Sequence, residues 1–237
     1  MKKRIKFNFL GIKFSFKLLS KKEKNIYANN TVNIDKNINY NMNIDGLDNT
    51  VDITCLDKPT GEPLNLKINI KGNNNKIIIK KLRTANLMID IGNFTGVDNV
   101  VIEIDENFTC VDASILAYQS NVPVKIGKDC LFSKNIVIRT GELPHVVYDI
   151  NTMEAFDKSD GIFIGNHVWL GEHVYIMKNA KLQENSIVGA MSVVTKRFNE
   201  PNVVIAGNPA QIKKNNANWA DNHMSIKDLK SKIKQTH

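Results

Sequence analysis

The stretch IGNHVWLGEHVYIMKNAKLQENSIVGAMSVV, from Ile164 to Val194, decides the fold. Every sixth residue is a branched aliphatic: Ile164, Leu170, Ile176, Leu182, Val188 and Val194. Four positions after each of the first five stands a small or β-branched residue, Val168, Val174, Ala180, Ser186 and Ser192, and Gly165, Gly171 and Gly189 directly follow three of the aliphatics. A period of six is foreign to the α-helix, in which six residues advance about 600° and scatter the series around the surface. It suits one short strand plus a tight corner, with the aliphatic and the small residue turned inward and the others outward. Three such units close one coil of a triangular solenoid, whose coils bury their apolar edges against one another.

The same phase extends upstream through Ile126, Phe132 and Ile138, with Cys130 and Ile136 at the small positions, and more weakly through Ile104, Cys110 and Leu116, with Phe108 and Ser114. The step from Ile138 to Ile164 is too long for one face. Residues 139–161 are therefore predicted to leave the solenoid as an excursion, opened by Thr140-Gly-Glu-Leu-Pro-His145 and closed by Asp160-Gly161. Long loops in compact repeats are usually functional. A looser repeat sets Ile44-Asp-Gly-Leu-Asp-Asn-Thr-Val-Asp-Ile53 against Ile70-Lys-Gly-Asn-Asn-Asn-Lys-Ile-Ile-Ile79. Asn and Gly tolerate the left-handed backbone that tight corners demand, so the solenoid is expected to begin before residue 50. The expected organisation is a basic arm over 1–25, irregular coils over 26–100, hexapeptide coils over 101–212 and a tail over 213–237. In that tail Met224, Ile226, Leu229 and Ile233 stand at helical spacing, a short amphipathic helix over the open end of the coils.

Composition narrows the function classes. A chain of 237 residues with 42% hydrophobic content can bury a sizeable core. It contains no apolar run near the roughly 20 residues of a membrane-spanning helix and no secretory signal pattern, so a cytoplasmic location is expected. Cys55, Cys110 and Cys130 are widely spaced and odd in number, read as reduced core thiols rather than a zinc or disulfide framework. The net charge of +8 is concentrated: residues 1–24 carry nine positive charges and one negative, which leaves residues 25–237 formally neutral. A neutral body has no long-range attraction for nucleic acid, and none is expected as a partner. In the arm, Ile5, Phe7 and Phe9, then Ile12, Phe14, Phe16 and Leu18, alternate with polar residues, two short amphipathic strands. They either cap the fold or dock on anionic lipid through residues 1–24.

Three segments together resemble a known family: Ile164-Gly-Asn-His-Val-Trp-Leu-Gly171, Ser186-Ile-Val-Gly-Ala-Met-Ser-Val-Val-Thr-Lys196 and Val203-Val-Ile-Ala-Gly-Asn-Pro-Ala210 look like the C-terminal signature of bacterial hexapeptide acyltransferases. The resemblance covers residues 100–212. It implies an all-β, left-handed parallel β-helix, an exception to right-handed crossovers, working as a homotrimer with acetyl-CoA as donor and no metal. Ile138-Arg-Thr-Gly-Glu-Leu-Pro-His145, Tyr148-Asp149 and His167-Val-Trp169 are similar to enzymes that O-acetylate capsular polysaccharide, including polysialic acid, which implies a bacterial surface glycan as acceptor. The chain departs from those relatives at Thr152–Asp157, where a Gly-Glu-x-x-Asn run is usual.

The chemistry supports the same residues. Moving an acyl group from a thioester to a sugar hydroxyl requires a base, and neutral imidazole is the usual one. His145, beside Pro144 in the excursion, matches the family's catalytic histidine; the alternative is a plain surface histidine. Glu142 and Asp149 are close enough in sequence to orient its ring. His167 and His173 hold equivalent hexad positions on successive faces and point outward, too few for a zinc site without a third ligand. Trp169, just past a corner, implies by resemblance a wall of the donor or sugar channel, against interface packing. The family places CoA along Gly189, Ala190, Ser192, Lys196 and Arg197, with Asn208 and Pro209 at the adenine end, although corners and inward positions need Gly189 and Ser192 in any case. Two other classes stay open: an acetyltransferase for a small acceptor such as a sugar amine, nucleotide-linked sugar or antibiotic, and a non-enzymatic β-helical scaffold.

Overall fold

The structure, a computed structural model, describes the backbone of residues 4–9 and 12–17 and the whole of residues 29–56, 64–93, 95–156 and 158–220. The helix expected over 222–234 lies outside the described residues. From residue 31 to residue 207 the chain winds as a triangular solenoid whose coils are joined by parallel ladders. One coil of the regular part shows the plan. Ile162–Ile164 lies on a first face, Trp169–Leu170 on a second and Tyr175–Ile176 on a third, and Lys181–Leu182 then returns to the first. Ile164 lies beside Leu182, Leu170 beside Val188 and Ile176 beside Val194, so each pairing spans the same three hexads.

The inward series is the one the period of six picks out. All six aliphatics from Ile164 to Val194 are buried, and so are Val168, Val174, Ala180, Ser186 and Ser192. Each such aliphatic contributes about 1.5–3 kcal/mol of burial. The residue before each small position takes a left-handed backbone: His167, His173, Asn179, Asn185 and Met191 have φ of 54°, 57°, 65°, 60° and 61°. Upstream, Ile104, Phe108 and Cys110 point inward as expected, but the phase does not continue to Ser114 and Leu116. Strand Thr109–Ala117 carries an irregularity between Cys110 and Ala113, and Ala113, Ile115 and Ala117 face the core instead. One extra residue in a strand moves every later side chain to the opposite face. That irregularity is also a corner: Thr109 and Cys110 pair with the second face of the next coil, and Ala113–Leu116 pair with its third. In the coils before it, one long strand spans both faces.

There is no break near residue 100. Ile79 pairs with Ile104 and Ile91 with Ala117, so the early and late coils form one stack. The looser repeat is in register as read, with Ile44 beside Ile70 and Ile53 beside Ile79. Its Asn and Gly residues build a buried ladder at one corner. The Asn30, Asn49 and Asn75 side-chain carbonyls accept the backbone N–H of Asn49, Asn75 and Val100 at 2.8, 2.9 and 2.9 Å. Their amides donate to the carbonyls of Gly46, Gly72 and Val97 at 2.9, 3.0 and 2.9 Å. Gly46 is obligatory there, since a Cβ on it would stand 1.9 Å from the Gly72 carbonyl oxygen. At the far end, Ala210–Lys214 folds back antiparallel on Val204–Gly207. The basic arm pairs Arg4–Phe9 antiparallel with Ile12–Lys17 as a sheet of its own, outside the solenoid ladders.

The ladder makes a testable difference between buried and exposed asparagines. Asn75→Ala strands the Val100 N–H and the Val97 carbonyl and should cost about 2–4 kcal/mol. Asn33→Ala, which removes an exposed bond to Asp52, should stay within about 0.5 kcal/mol. Denaturant midpoints at one protein concentration give the comparison, and equal losses would mean that the buried ladder adds nothing.

Candidate active site

The excursion leaves at the edge between the third and first faces. Ile126 pairs with Ile164 across the whole excursion, and Ile164 pairs with Leu182 one ordinary coil later, so the insertion leaves the ladder undisturbed. Its start is clamped by Arg139, whose Nε donates to the Gly141 carbonyl at 2.9 Å and whose Nη2 donates to the Leu143 carbonyl at 2.7 Å. The guanidinium also lies 5.2 Å from the centre of the Tyr118 ring. The Tyr118 hydroxyl in turn donates to buried Asp90 at 2.7 Å. Burial, with the hydrogen bond to Asp90 second, pushes the Tyr118 phenol up to about 12. Just beyond the clamped Leu143 carbonyl stands His145, exposed, its N–H bonded to the Glu142 carbonyl at 3.3 Å. The excursion is not structureless: Tyr148 bridges Ala155 in antiparallel fashion and Phe156 N–H donates to the Val147 carbonyl. Around its tip Val146, Val147, Tyr148, Ile150, Met153 and Phe156 are all exposed, Ile150 by 82%.

The two acids singled out beside His145 have defined partners. Glu142 faces Lys178 of the next coil at 3.1 Å. Asp149 closes its own turn, accepting the N–H groups of Asn151 and Thr152 at 2.7 and 3.0 Å. Those bonds, Thr152 first, hold its carboxyl below the usual range. The end of the excursion is tied to the coils by Asn179, which donates to the Lys158 carbonyl at 2.9 Å, and by Arg197, which pairs with Asp160. That guanidinium holds the Asp160 carboxyl below its ordinary range.

Trp169 lies on the second face, 37% exposed, its Nε1 donating to the Ser133 hydroxyl at 3.2 Å. Beside it, Trp219 stacks on His167 at 4.1 Å. His167 is thus half-buried under an indole, not simply turned to solvent. His173 faces the Asn135 amide at 3.3 Å, and among the described residues no three His, Cys, Asp or Glu stand close enough to hold a metal. Of the residues expected along CoA, Gly189 and exposed Ala190 lie at the corner after the second face, Lys196 is exposed with its Nζ 5.3 Å from the centre of the Phe198 ring, and Asn208 and Pro209 are exposed in the turn between Val204–Gly207 and Ala210–Lys214. Ser192 is different. Its buried hydroxyl donates to the Gly189 carbonyl at 2.7 Å and accepts the Gly207 N–H at 3.0 Å, so it fixes the corner and is not presented outward.

Residues 161–196 match the family described as bacterial transferase hexapeptide (six repeats). The six-residue repeat of this chain is thus similar to that of the bacterial hexapeptide transferases. It is 37% identical over 109 residues to a galactoside O-acetyltransferase of Escherichia coli K12, and 30% identical over 113 residues to a polysialic acid O-acetyltransferase of Escherichia coli O1:K1. These matches take in 45% and 47% of this chain but 51% and 36% of the relatives, so the chain spans about half or less of the curated relatives it matches. The solved polysialic acid O-acetyltransferase OatWY superimposes with a TM-score of 0.59 at 26% identity, over 86% of this chain and 95% of that one. The polysialic-acid-specific acetyltransferase NeuO superimposes with the same score at 24% identity, over 86% of this chain and all of that one, a likeness of fold. The solenoid is a left-handed parallel β-helix.

In a three-sided prism the edge between the third and first faces is the one opposite the second face. His145 projects from that edge and Trp169 from that face, so within one chain the body of the prism separates them. Sequence reading did not find Arg139, Tyr118 and Asp90 as a unit, nor Trp219. Asp90 left one signal, an acid among the aliphatics of Leu87-Met-Ile-Asp-Ile91.

The thiols are badly placed for covalent chemistry. Cys55, Cys110 and Cys130 are buried thiols, none of them in a disulfide. Burial pushes both Cys110 and Cys130 up to about 12, and the thiolate is the reactive form. A chromogenic disulfide reagent at pH 8 should release no colour from the folded protein and three equivalents after denaturation. One fast equivalent without denaturant would restore a nucleophilic cysteine to consideration.

Proposed function

We propose that the protein is an O-acetyltransferase that moves acetyl from acetyl-CoA to a hydroxyl of a bacterial surface glycan, with a sialic-acid-containing capsular polymer as the leading acceptor. The observation that carries this reading is an excursion clamped at its base by Arg139 that presents His145 from the edge of a hexapeptide prism. The polysialic acid O-acetyltransferases among its relatives support the acceptor class. The galactoside O-acetyltransferase match favours a second acceptor, a small sugar.

In this reading neutral His145 takes the proton from the acceptor hydroxyl as its oxygen attacks the thioester carbonyl. The tetrahedral intermediate then collapses with cleavage of the carbon–sulfur bond, and the imidazolium returns the proton to the departing thiolate. No acyl-enzyme forms. Glu142 or Asp149 orients the ring only if it also keeps or exchanges the partner described above. Gly189 and Ala190 let the donor approach the corner, Lys196 meets its phosphates, Arg197 joins only by sharing with Asp160, and Asn208 and Pro209 flank the adenine end.

Because His145 and Trp169 lie on opposite sides of one prism, the reading calls for a homotrimer in which the excursion of one copy reaches the second face of another. Six exposed apolar residues at the tip of the excursion suit such a contact. The basic arm, a hairpin separate from the solenoid with all the net charge of the chain, docks on anionic lipid at the cytoplasmic face of the membrane.

Thiol release from acetyl-CoA in the presence of purified polysialic acid or a small galactoside, with mass spectrometry of the product, tests the reading. His145→Ala should lower turnover by about 10² or more with unchanged melting temperature and CoA affinity; near-normal turnover would remove His145 from the mechanism. A chain starting at Asn25 should acetylate soluble oligosaccharide normally and lose salt-sensitive binding to phosphatidylserine vesicles. Full-length protein that ignores those vesicles at low salt would end the membrane assignment.

A further inference from the structure

After the last strand the chain turns back along the second face and delivers Trp219 to a fixed place. The indole stacks on the His167 imidazole at 4.1 Å and 6° from parallel. Two further contacts lock it: Trp219 Nε1 donates to the His167 carbonyl at 2.9 Å, and His167 Nε2 lies 3.2 Å from the Trp219 carbonyl oxygen. The His167 backbone beneath is held by its own N–H on the Lys128 carbonyl at 2.8 Å. A large ring on the outside of a finished core, oriented this firmly, adds nothing to the ladder of the coils. It does wall a cavity of about 210 Å³, floored by Leu131 and bordered by Arg83, Asn107 and Asp129. Asn107 donates to Asp129 at 2.7 Å, which sets the amide and the carboxylate side by side. The Trp169 ring lies 6.2 Å from Trp219, on the strand next to Leu131.

Asn107 and Asp129 hold left-handed corner positions with φ of 63° and 59°, and their side chains, like that of Arg83, stand outside the inward aliphatic series. Together they offer one flat apolar wall and, around it, a guanidinium, an amide and a carboxylate. That is the chemistry of a sugar ring: its C–H face packs on an indole while its hydroxyls donate to the carboxylate and accept from the guanidinium and amide. The volume is below the roughly 300–1,000 Å³ of drug-sized sites and matches a single ring. Adjacent coils are about 4.8 Å apart, close to the length of one sugar unit, so a chain running along this face would pass from the cavity to Trp169.

We propose that this cavity is a subsite for one pyranose ring of the acceptor glycan, with Trp219 as its stacking platform. The inference rests on the acetyltransferase reading and adds where the acceptor is gripped. Calorimetric titration of the full-length protein with an α2,8-linked sialic acid tetramer, and separately with lactose, tests it beside thiol-release kinetics in which each substrate is varied. Binding of either probe is expected, and which of them binds separates an acidic from a neutral ring. Trp219→Ala should weaken that binding and raise the acceptor KM about tenfold, the effect of losing about 1.4 kcal/mol, with the acetyl-CoA KM unchanged. Trp219→Phe, which keeps a ring and loses the Nε1 bond, should retain most of the affinity. Absence of binding by both probes, binding indifferent to Trp219→Ala, or a rise in the acetyl-CoA KM instead would overturn the subsite. Glycan bound through Trp219 without any thiol release would leave the subsite standing and remove the acetyltransferase reading; transfer unaffected by Trp219→Ala would do the reverse.

Discussion

Each two-residue strand of the regular coils satisfies its backbone N–H and C=O groups on the same face of the neighbouring coil. Among the described residues a two-residue strand such as Trp169–Leu170 pairs only with Leu131–Phe132 and Ile187–Val188, and buried backbone groups cannot go unpaired without a cost of about 1–3 kcal/mol each. The step of three hexads per coil follows from that requirement, and the stacked aliphatics follow from the step. So do the corners. A turn of the prism inside a single hexad needs a left-handed residue, and of the 17 non-glycine positive-φ residues among those described, 10 are asparagine, the side chain that tolerates this backbone best. The asparagine-rich composition of the chain is a consequence of its ladder.

The same constraint decides where variation is allowed. Extra residues inside a face would shift the register; extra residues at a corner cost only loop closure. The excursion sits at a corner, and the coils on either side of it pair as if it were absent. Leaving from the edge between the third and first faces, it must carry His145 away from the face that holds Trp169. A site built from both residues therefore belongs, in the proposed mechanism, to two copies of the chain, and the exposed apolar tip gives the second copy something to cover.

Several polar side chains that sequence reading offered to CoA or to His145 are used by the fold itself. The Ser192 hydroxyl bridges Gly189 and Gly207, Arg197 holds Asp160, and Asp149 closes a turn. Polar groups near a corner have backbone groups to satisfy first, and short side chains such as serine and aspartate do so locally. Lys196, long and exposed, stays available to a ligand outside.

The sequence by itself determined the period of six, the inward aliphatics from Ile164 to Val194, the place of the excursion with His145 in it, and the pairing of Ile44 with Ile70 and Ile53 with Ile79. These are legible because each is local: one strand length and one corner set them, and the ladder repeats them. Only the tertiary structure decided that Ala113, Ile115 and Ala117 face the core in place of Ser114 and Leu116, because a single extra residue at a corner leaves no mark in the hydrophobic pattern. It alone joined Asp90, Tyr118 and Arg139 beneath the His145 loop, from three successive coils. It alone laid Trp219 on His167, 52 residues away, since that contact depends on the outer shape of the finished prism, which no local period encodes.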